Sequence, residues 1–177
     1  MIENWLVKVN VGDVKLFENA LYNSITKTND VTGTTSAKGP NTKQTELWGC
    51  DEYLKLLVDY IKNIQNDNIS KINFNNIKSL SAWIVEGQEH SYHILHRHSA
   101  KGDEHLVFNN NISTVLYLDI PKSGGEFYFV KEKSTGTQTH SIEPEKGDLL
   151  IFPWSLYHGV YPQGPGLRKS VNVDFSF

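Results

Sequence analysis

Hydrophobic positions in this chain keep two different rhythms. Trp5, Val7, Val9 and Val11 alternate with Leu6, Lys8 and Asn10, the period-two pattern of a strand. Asp13 is a good helix N-cap, and Val14, Phe17, Leu21 and Ile25 follow at helical spacing. That pattern predicts a helix over 13–26 packed by one face. A second helix is predicted over 51–66, with Leu54, Leu57, Val58, Ile61 and Ile64 as its apolar stripe. Between the two, residues 26–46 are polar and broken by Gly39-Pro40. They read as a long loop, either a mobile cover over a site or a disordered connector.

After Ile69 short alternating or apolar runs take over, near 69–74, 79–86, 91–98, 113–119, 125–131, 138–143, 148–152, 156–161 and 168–177. Turn formers such as Gly124-Gly125 and Lys146-Gly147-Asp148 separate them. Strands of this length and spacing predict an antiparallel sandwich or barrel, with the two leading helices backing one sheet. The predicted fold class is mainly β with N-terminal helices, one domain over 1–177. Its helical support covers 1–68 and its β core 69–177.

Composition narrows the setting. A chain of 177 residues buries a core without cross-links, and its one cysteine, Cys50, excludes an internal disulfide and suits a reducing compartment. Cys50 itself reads as a buried structural thiol. A net charge of −3 leaves no electrostatic footprint for nucleic acid or an anionic membrane. Residues Met1 to Trp5 lack the basic and apolar regions of a signal peptide, and no apolar run approaches the ~18 residues that cross a bilayer. The expectation is a cytoplasmic protein with neither a membrane nor nucleic acid as partner; monomer and homodimer are equally open.

Five of the seven histidines fall between 90 and 105. On a strand, residues i and i+2 share a face, so His96 and His98 project together with Arg97 opposed. His158 follows the apolar run 149–154 on a strand that, returning beside the first, would oppose the pair. Three imidazoles on one face suit iron, copper, zinc or nickel and leave other positions open for a co-substrate and O2. Non-haem Fe(II) oxygenases use two histidines and a carboxylate for this; here His98 stands where the carboxylate is expected. His90, His93, His105 and His140 read as surface or hydrogen-bonded core histidines, although His93 or Asp103 is a second choice for completing the triad.

The last strand alternates cleanly: Arg168, Ser170, Asn172, Asp174 and Ser176 on one face, Val171, Val173, Phe175 and Phe177 on the other. A polar solvent face over an apolar core explains it. So does a polar face lining a pocket, with Arg168 holding the distal carboxylate of a dicarboxylate by a bidentate pair and Ser170 adding a hydroxyl.

Taken in order, these pieces resemble the 2-oxoglutarate/Fe(II)-dependent dioxygenases, in particular the small prolyl-hydroxylase-like oxygenases of bacteria and phages. The resemblance runs from Ser81 to Phe177: His96-Arg97-His98, the Thr-Val-Leu-Tyr-Leu-Asp strand (114–119), Ser-Gly-Gly-Glu-Phe (123–127), Pro-Glu-Lys-Gly-Asp-Leu-Leu-Ile-Phe-Pro (144–153), His158, and Arg168-Lys169-Ser170. It implies a double-stranded β-helix (jelly roll) with Fe(II) between its sheets, held by His96, His98 and His158. It implies 2-oxoglutarate as co-substrate, salt-bridged by Arg168 and touched by Ser170 and Tyr117. It also implies an enzyme that hydroxylates a C–H bond while releasing succinate and CO2, placed in the cytoplasm, or the host's if phage-encoded. The substrate is a protein or peptide, prolyl-like or otherwise, or a small molecule, with a nucleobase also compatible. Two alternatives stand beside it: a cupin-like three-His metalloenzyme without 2-oxoglutarate, and a non-catalytic jelly-roll binding module. The first has no use for Arg168 and Ser170 as a carboxylate clamp, and the second needs no histidine triad and so would bind no Fe(II).

Overall fold

The computed structural model describes residues 5–33, 38–98, 111–133 and 136–177. The chain starts on strand β1 (Val7–Asn10) and enters helix α1 (Val14–Ser24), where the Asp13 carboxylate accepts from the Leu16 amide at 3.2 Å. Strands β2 (Lys27–Asp30) and β3 (Thr42–Trp48) precede helix α2 (Asp51–Lys62). Two short 3-10 turns then lead to β4 (Ser79–Gly87) and β5 (His93–His96). The remaining strands are β6 (Asn111–Asp119), β7 (Phe127–Lys133), β8 (Gly136–Ile142), β9 (Asp148–Pro153), β10 (Tyr157–Val160) and β11 (Arg168–Ser176). No described helix is long and apolar enough to cross a membrane.

The strands form a jelly roll of two antiparallel sheets, one ordered β1-β9-β6-β11-β4-β3-β2 and the other β5-β10-β7-β8. The larger sheet is apolar on one face, where Val171, Val173 and Phe175 are fully buried in the same core as the helix residues Phe17, Leu21, Tyr53, Leu57 and Ile61. Phe17 meets Tyr53 and Tyr60 edge-on, at 6.3 and 5.7 Å, and so locks α1 to α2. On its other face Phe152 of β9 meets Phe127 of β7 at 5.4 Å, and Trp5 meets Phe129 at 4.4 Å. These aromatic contacts hold the small sheet over the large one. Cys50 is buried, as its setting predicted.

Two sequence expectations change. Residues 26–46 are not a long loop: β2 and β3 pair with each other, and β3 pairs with β4, extending the large sheet. All four β2 residues are exposed, so this edge is held by backbone hydrogen bonds and shows no apolar alternation to read. The run 69–74 is no strand but lies in the 3-10 turns Ile69–Lys71 and Phe74–Asn76. There Asn66 and Asn73 turn their side-chain carbonyls onto the amides of Asn68 and Asn75, at 2.9 and 3.1 Å, competing with a ladder. Ile69, Ile72 and Phe74 are still buried, so their apolarity signals burial rather than pairing.

Gly159 sets how closely β10 approaches its neighbours. A Cβ there would lie 2.5 Å from the Tyr128 ring on β7 and 2.8 Å from the His93 carbonyl on β5. Gly159→Ala is therefore expected to push β10 from both neighbours and lower stability by about 1–3 kcal/mol, read as a lower urea midpoint; an unchanged midpoint would contradict the packing described.

Candidate active site

Between the sheets lies a cavity of about 640 Å³ whose lining includes His93, His96, His98, Ser113, Tyr117, His158, Arg168, Ser170, Asn172 and Asp174. The strand register explains how they meet. His158 on β10 sits directly across from His96 on β5. Two residues later the register slips, and Val160 pairs with His93. Two steps on β10 thus face three on β5, a bulge that leaves Ile94 and Leu95 exposed, at 47% and 44%, while His93 and His96 both line the cavity. His98 lies beyond the end of β5, contrary to the simple i, i+2 strand argument. Its amide instead donates to the Trp154 carbonyl at 3.1 Å. The ring still lies 5.2 Å from that of His96 and 5.0 Å from that of His158.

The hydrogen bonds fix the tautomers. Nδ1 of His96 meets the Ile94 carbonyl and Nδ1 of His158 meets the Leu156 carbonyl, both at 2.9 Å. A carbonyl only accepts, so each Nδ1 carries the proton and each Nε2 is left with a lone pair. Nδ1 of His98 lies 2.8 and 3.1 Å from the two oxygens of Asp174 and 3.0 Å from the Ser113 hydroxyl, which itself donates to Asp174 at 2.6 Å. His98 is thereby turned with Nε2 inward, 3.3 Å from that of His96. One ligand nitrogen from each of the three rings lies within 4.8 Å of the others. Imidazole nitrogens converging at this range fit a metal cation, and outward N–H groups bonded to carbonyls and a carboxylate are the usual support of metal-bound histidines.

Burial enforces neutrality. It holds His96 below the ordinary histidine value despite the favourable Ile94 carbonyl, and holds His158 well below it, with His96 and His98 adding to the effect. Phe127 stacks on His158 at 5.4 Å and Phe152 contacts it at 4.8 Å, so apolar rings shield this side from water.

Arg168 stands at the start of β11 and is 2% exposed, and none of its three guanidinium nitrogens has a hydrogen-bond partner among the described residues. Burial lowers its pKa, opposed by Tyr117, yet a guanidinium stays charged. A buried unpaired cation is costly, so this position fits a carboxylate that arrives with a ligand. Ser170 shares its face and lies directly across from Tyr117; burial pushes the Tyr117 phenol up to about 12, keeping it a neutral donor. The loop that delivers Arg168 is pinned by Gln163, whose amide donates to the carbonyls of Gly87 and Gly166 at 3.1 and 3.0 Å and accepts from Ser91 at 2.8 Å.

The structure thus brings His96, His98 and His158 together, with Arg168, Ser170 and Tyr117 in the same cavity. His93 lines the cavity but is not in the three-histidine group, while Asp103 and His105 lie outside the described residues. His90 occupies a turn at φ 70° and His140 stacks on Phe129 at 5.1 Å, each in a structural role. Sequence reasoning missed the role of Asp174 and Ser113 behind His98. Asp174 on the face shared with Arg168 was the available signal; Ser113, directly across from it on β6, had none.

A family model described as the 2OG-Fe(II) oxygenase superfamily matches residues 83–175, just over half of the chain. A comparison with curated proteins found no match. Among solved structures, a prolyl-4-hydroxylase from Pseudomonas putida is 17% identical with a TM-score of 0.63, over 97% of this chain and 92% of that one. A prolyl hydroxylase from Trichoplax adhaerens, solved with a hypoxia inducible factor peptide fragment, is 15% identical with a TM-score of 0.65, over 98% and 84%. HygX from Streptomyces hygroscopicus, solved with nickel, 2-oxoglutarate and hygromycin B, is 13% identical with a TM-score of 0.58, over 97% and 82%. At these identities the likeness is one of fold.

His93 provides a test of the burial described. Desolvation, with Arg168 second, pushes it from 6.5 down to about 3. Between those values the unfolded chain binds a proton that the native chain refuses, so stability falls as pH drops below about 6.5, by about 1.4 kcal/mol per pH unit for each such group. In metal-free protein the unfolding free energy should fall between about pH 7.5 and about pH 5.5, and His93→Gln should reduce that fall by about 1 kcal/mol. Urea titrations at both pH values check this, an unaltered pH slope in the variant being the contrary result.

Proposed function

The chain belongs to the 2OG-Fe(II) oxygenase superfamily, and from that premise we propose that His96, His98 and His158 hold its Fe(II) and that Arg168, Ser170 and Tyr117 hold its 2-oxoglutarate. The enzyme is a 2-oxoglutarate-dependent oxygenase. We read its reaction as hydroxylation of a C–H bond on a protein or peptide, prolyl-like in keeping with the solved structures that share its fold, or on a small molecule. The observation that carries the reading is the joint presence, in one cavity, of three convergent imidazole nitrogens and a buried guanidinium with no hydrogen-bond partner among the described residues. A cupin-like three-histidine enzyme without 2-oxoglutarate, or a binding module, would leave that guanidinium unexplained.

When bound, the iron and 2-oxoglutarate supply the oxidising chemistry, in which O2 is reduced, 2-oxoglutarate becomes succinate and CO2, and a C–H bond gains a hydroxyl. The protein's residues do the rest. Arg168 pairs with the distal carboxylate, while the Ser170 and Tyr117 hydroxyls donate to it; a fixed guanidinium fork sets orientation as well as affinity. The Ile94 and Leu156 carbonyls and the Asp174 carboxylate hold the three rings with Nε2 inward. Asp174, bonded to Nδ1 of His98, would supply from behind that ring the negative charge that a carboxylate ligand would have supplied directly. Phe127 and Phe152 keep water from the His158 side.

Anaerobic titration of the Fe(II)-loaded protein with 2-oxoglutarate should raise a weak visible charge-transfer band. Arg168→Met should retain iron but weaken 2-oxoglutarate binding by about 100-fold or more, the consequence of removing one partner of a buried charge pair. Bound iron without a band in the unaltered protein would refute the assignment.

A further inference from the structure

We propose that the cavity wall formed by Gln44, Glu46, Trp48 and Trp83 recognises a cationic group of the substrate, an ammonium or guanidinium, close to the C–H bond that is hydroxylated. This rests on reading the histidine cluster and Arg168 as the iron and 2-oxoglutarate sites. Register places the wall. On the large sheet Asn172 of β11, Trp83 of β4 and Glu46 of β3 stand directly across from one another in a single row. Gln44 lies across from Val85, and Gln44, Glu46 and Trp48 alternate along β3, so all three share the cavity face. All of these residues line the same cavity as His98, and the Trp83 ring is 5.7 Å from the His98 ring. Glu46 is one strand beyond Trp83, roughly 10 Å from β11 by strand spacing. That distance suits a substrate with its reacting carbon near the histidines and its charged group a side chain's length away.

The chemistry of the wall selects the charge. Glu46 is half-buried and makes no hydrogen bond or ion pair among the described residues. A carboxylate only accepts, and a partly desolvated one is best balanced by a cation. The indole faces of Trp83 and Trp48 present negative charge density, which also favours a cation. Trp48 demonstrates the preference: the Lys27 ammonium lies over its ring at 5.2 Å. Asp51, at the first turn of α2, adds a second carboxylate to the lining. The cavity is therefore polarised, with Arg168 at one end and Glu46 at the other. The dicarboxylate co-substrate is drawn to the first and repelled by the second, so the two ligands do not compete for one place. An apolar substrate group alone would leave Glu46 unpaired.

Calorimetric titration of the anaerobic Fe(II)- and 2-oxoglutarate-loaded enzyme tests this with four probes. They are the N-acetyl methylamides of lysine, arginine, norleucine and proline. Lysine or arginine should bind at least tenfold more tightly than norleucine, which matches lysine in shape without the charge. Glu46→Gln should weaken the cationic probes at least tenfold and leave the neutral probes and 2-oxoglutarate affinity unchanged. Cationic probes that bind no better than norleucine or proline, or not at all, overturn the proposal, as does an unchanged lysine affinity in Glu46→Gln. If 2-oxoglutarate itself fails to bind the iron-loaded protein, the reading of the site falls and this proposal with it. Normal 2-oxoglutarate binding without a cation preference overturns this proposal alone.

Discussion

Three imidazole nitrogens turned toward one another in one cavity, within 4.8 Å of each other, are the constraint that the surrounding architecture serves. Each outward ring N–H is spent on an acceptor that cannot give a proton back: two backbone carbonyls and the Asp174 carboxylate. The β5 bulge turns His93 and His96 inward together, Gly159 lets β10 approach β5 and β7, and the Trp154 carbonyl holds His98 beyond the strand end. The site is thus preorganised by backbone geometry rather than by flexible side chains.

The same face of the large sheet distributes charge in rows. Along β11, Arg168, Ser170, Asn172 and Asp174 descend from the guanidinium to the carboxylate behind His98. Across the sheet, Asn172, Trp83 and Glu46 lead away toward the β3 edge. Period-two alternation puts every one of these on the cavity side and leaves Val171, Val173 and Phe175 for the core. One strand therefore supplies both hydrophobic stability and the polar instruments of the site. With His98 as the proposed ligand in place of a carboxylate, Asp174 keeps a negative charge directly behind it.

Much of this was legible in the sequence. The two helices, most of the strands and the Arg168 face followed from periodicity, because those features are carried by burial patterns; the histidine trio followed from the order of motifs, since His98 lies past the end of β5. The β2–β3 hairpin was invisible for the opposite reason: its first strand is exposed throughout and held by backbone bonds that no side-chain rhythm reports. The run 69–74 misled because Ile69, Ile72 and Phe74 are buried from turns, and apolarity reports burial without naming the backbone that achieves it. His93 read as an ordinary histidine since a one-residue bulge cannot be seen in a four-residue strand. Asp174 and Ser113 acquire meaning only when β11 and β6 are set side by side, 61 residues apart in the chain.

The claim on which the rest depends is that iron sits on three histidines with Asp174 behind one of them. A crystal structure of the anaerobically Fe(II)-loaded protein tests it most directly. The account predicts iron bonded to Nε2 of His96, His98 and His158, with the Asp174 carboxylate still hydrogen-bonded to Nδ1 of His98. Iron bonded to Asp174 or another carboxylate in place of His98, or found away from this cavity, would contradict it.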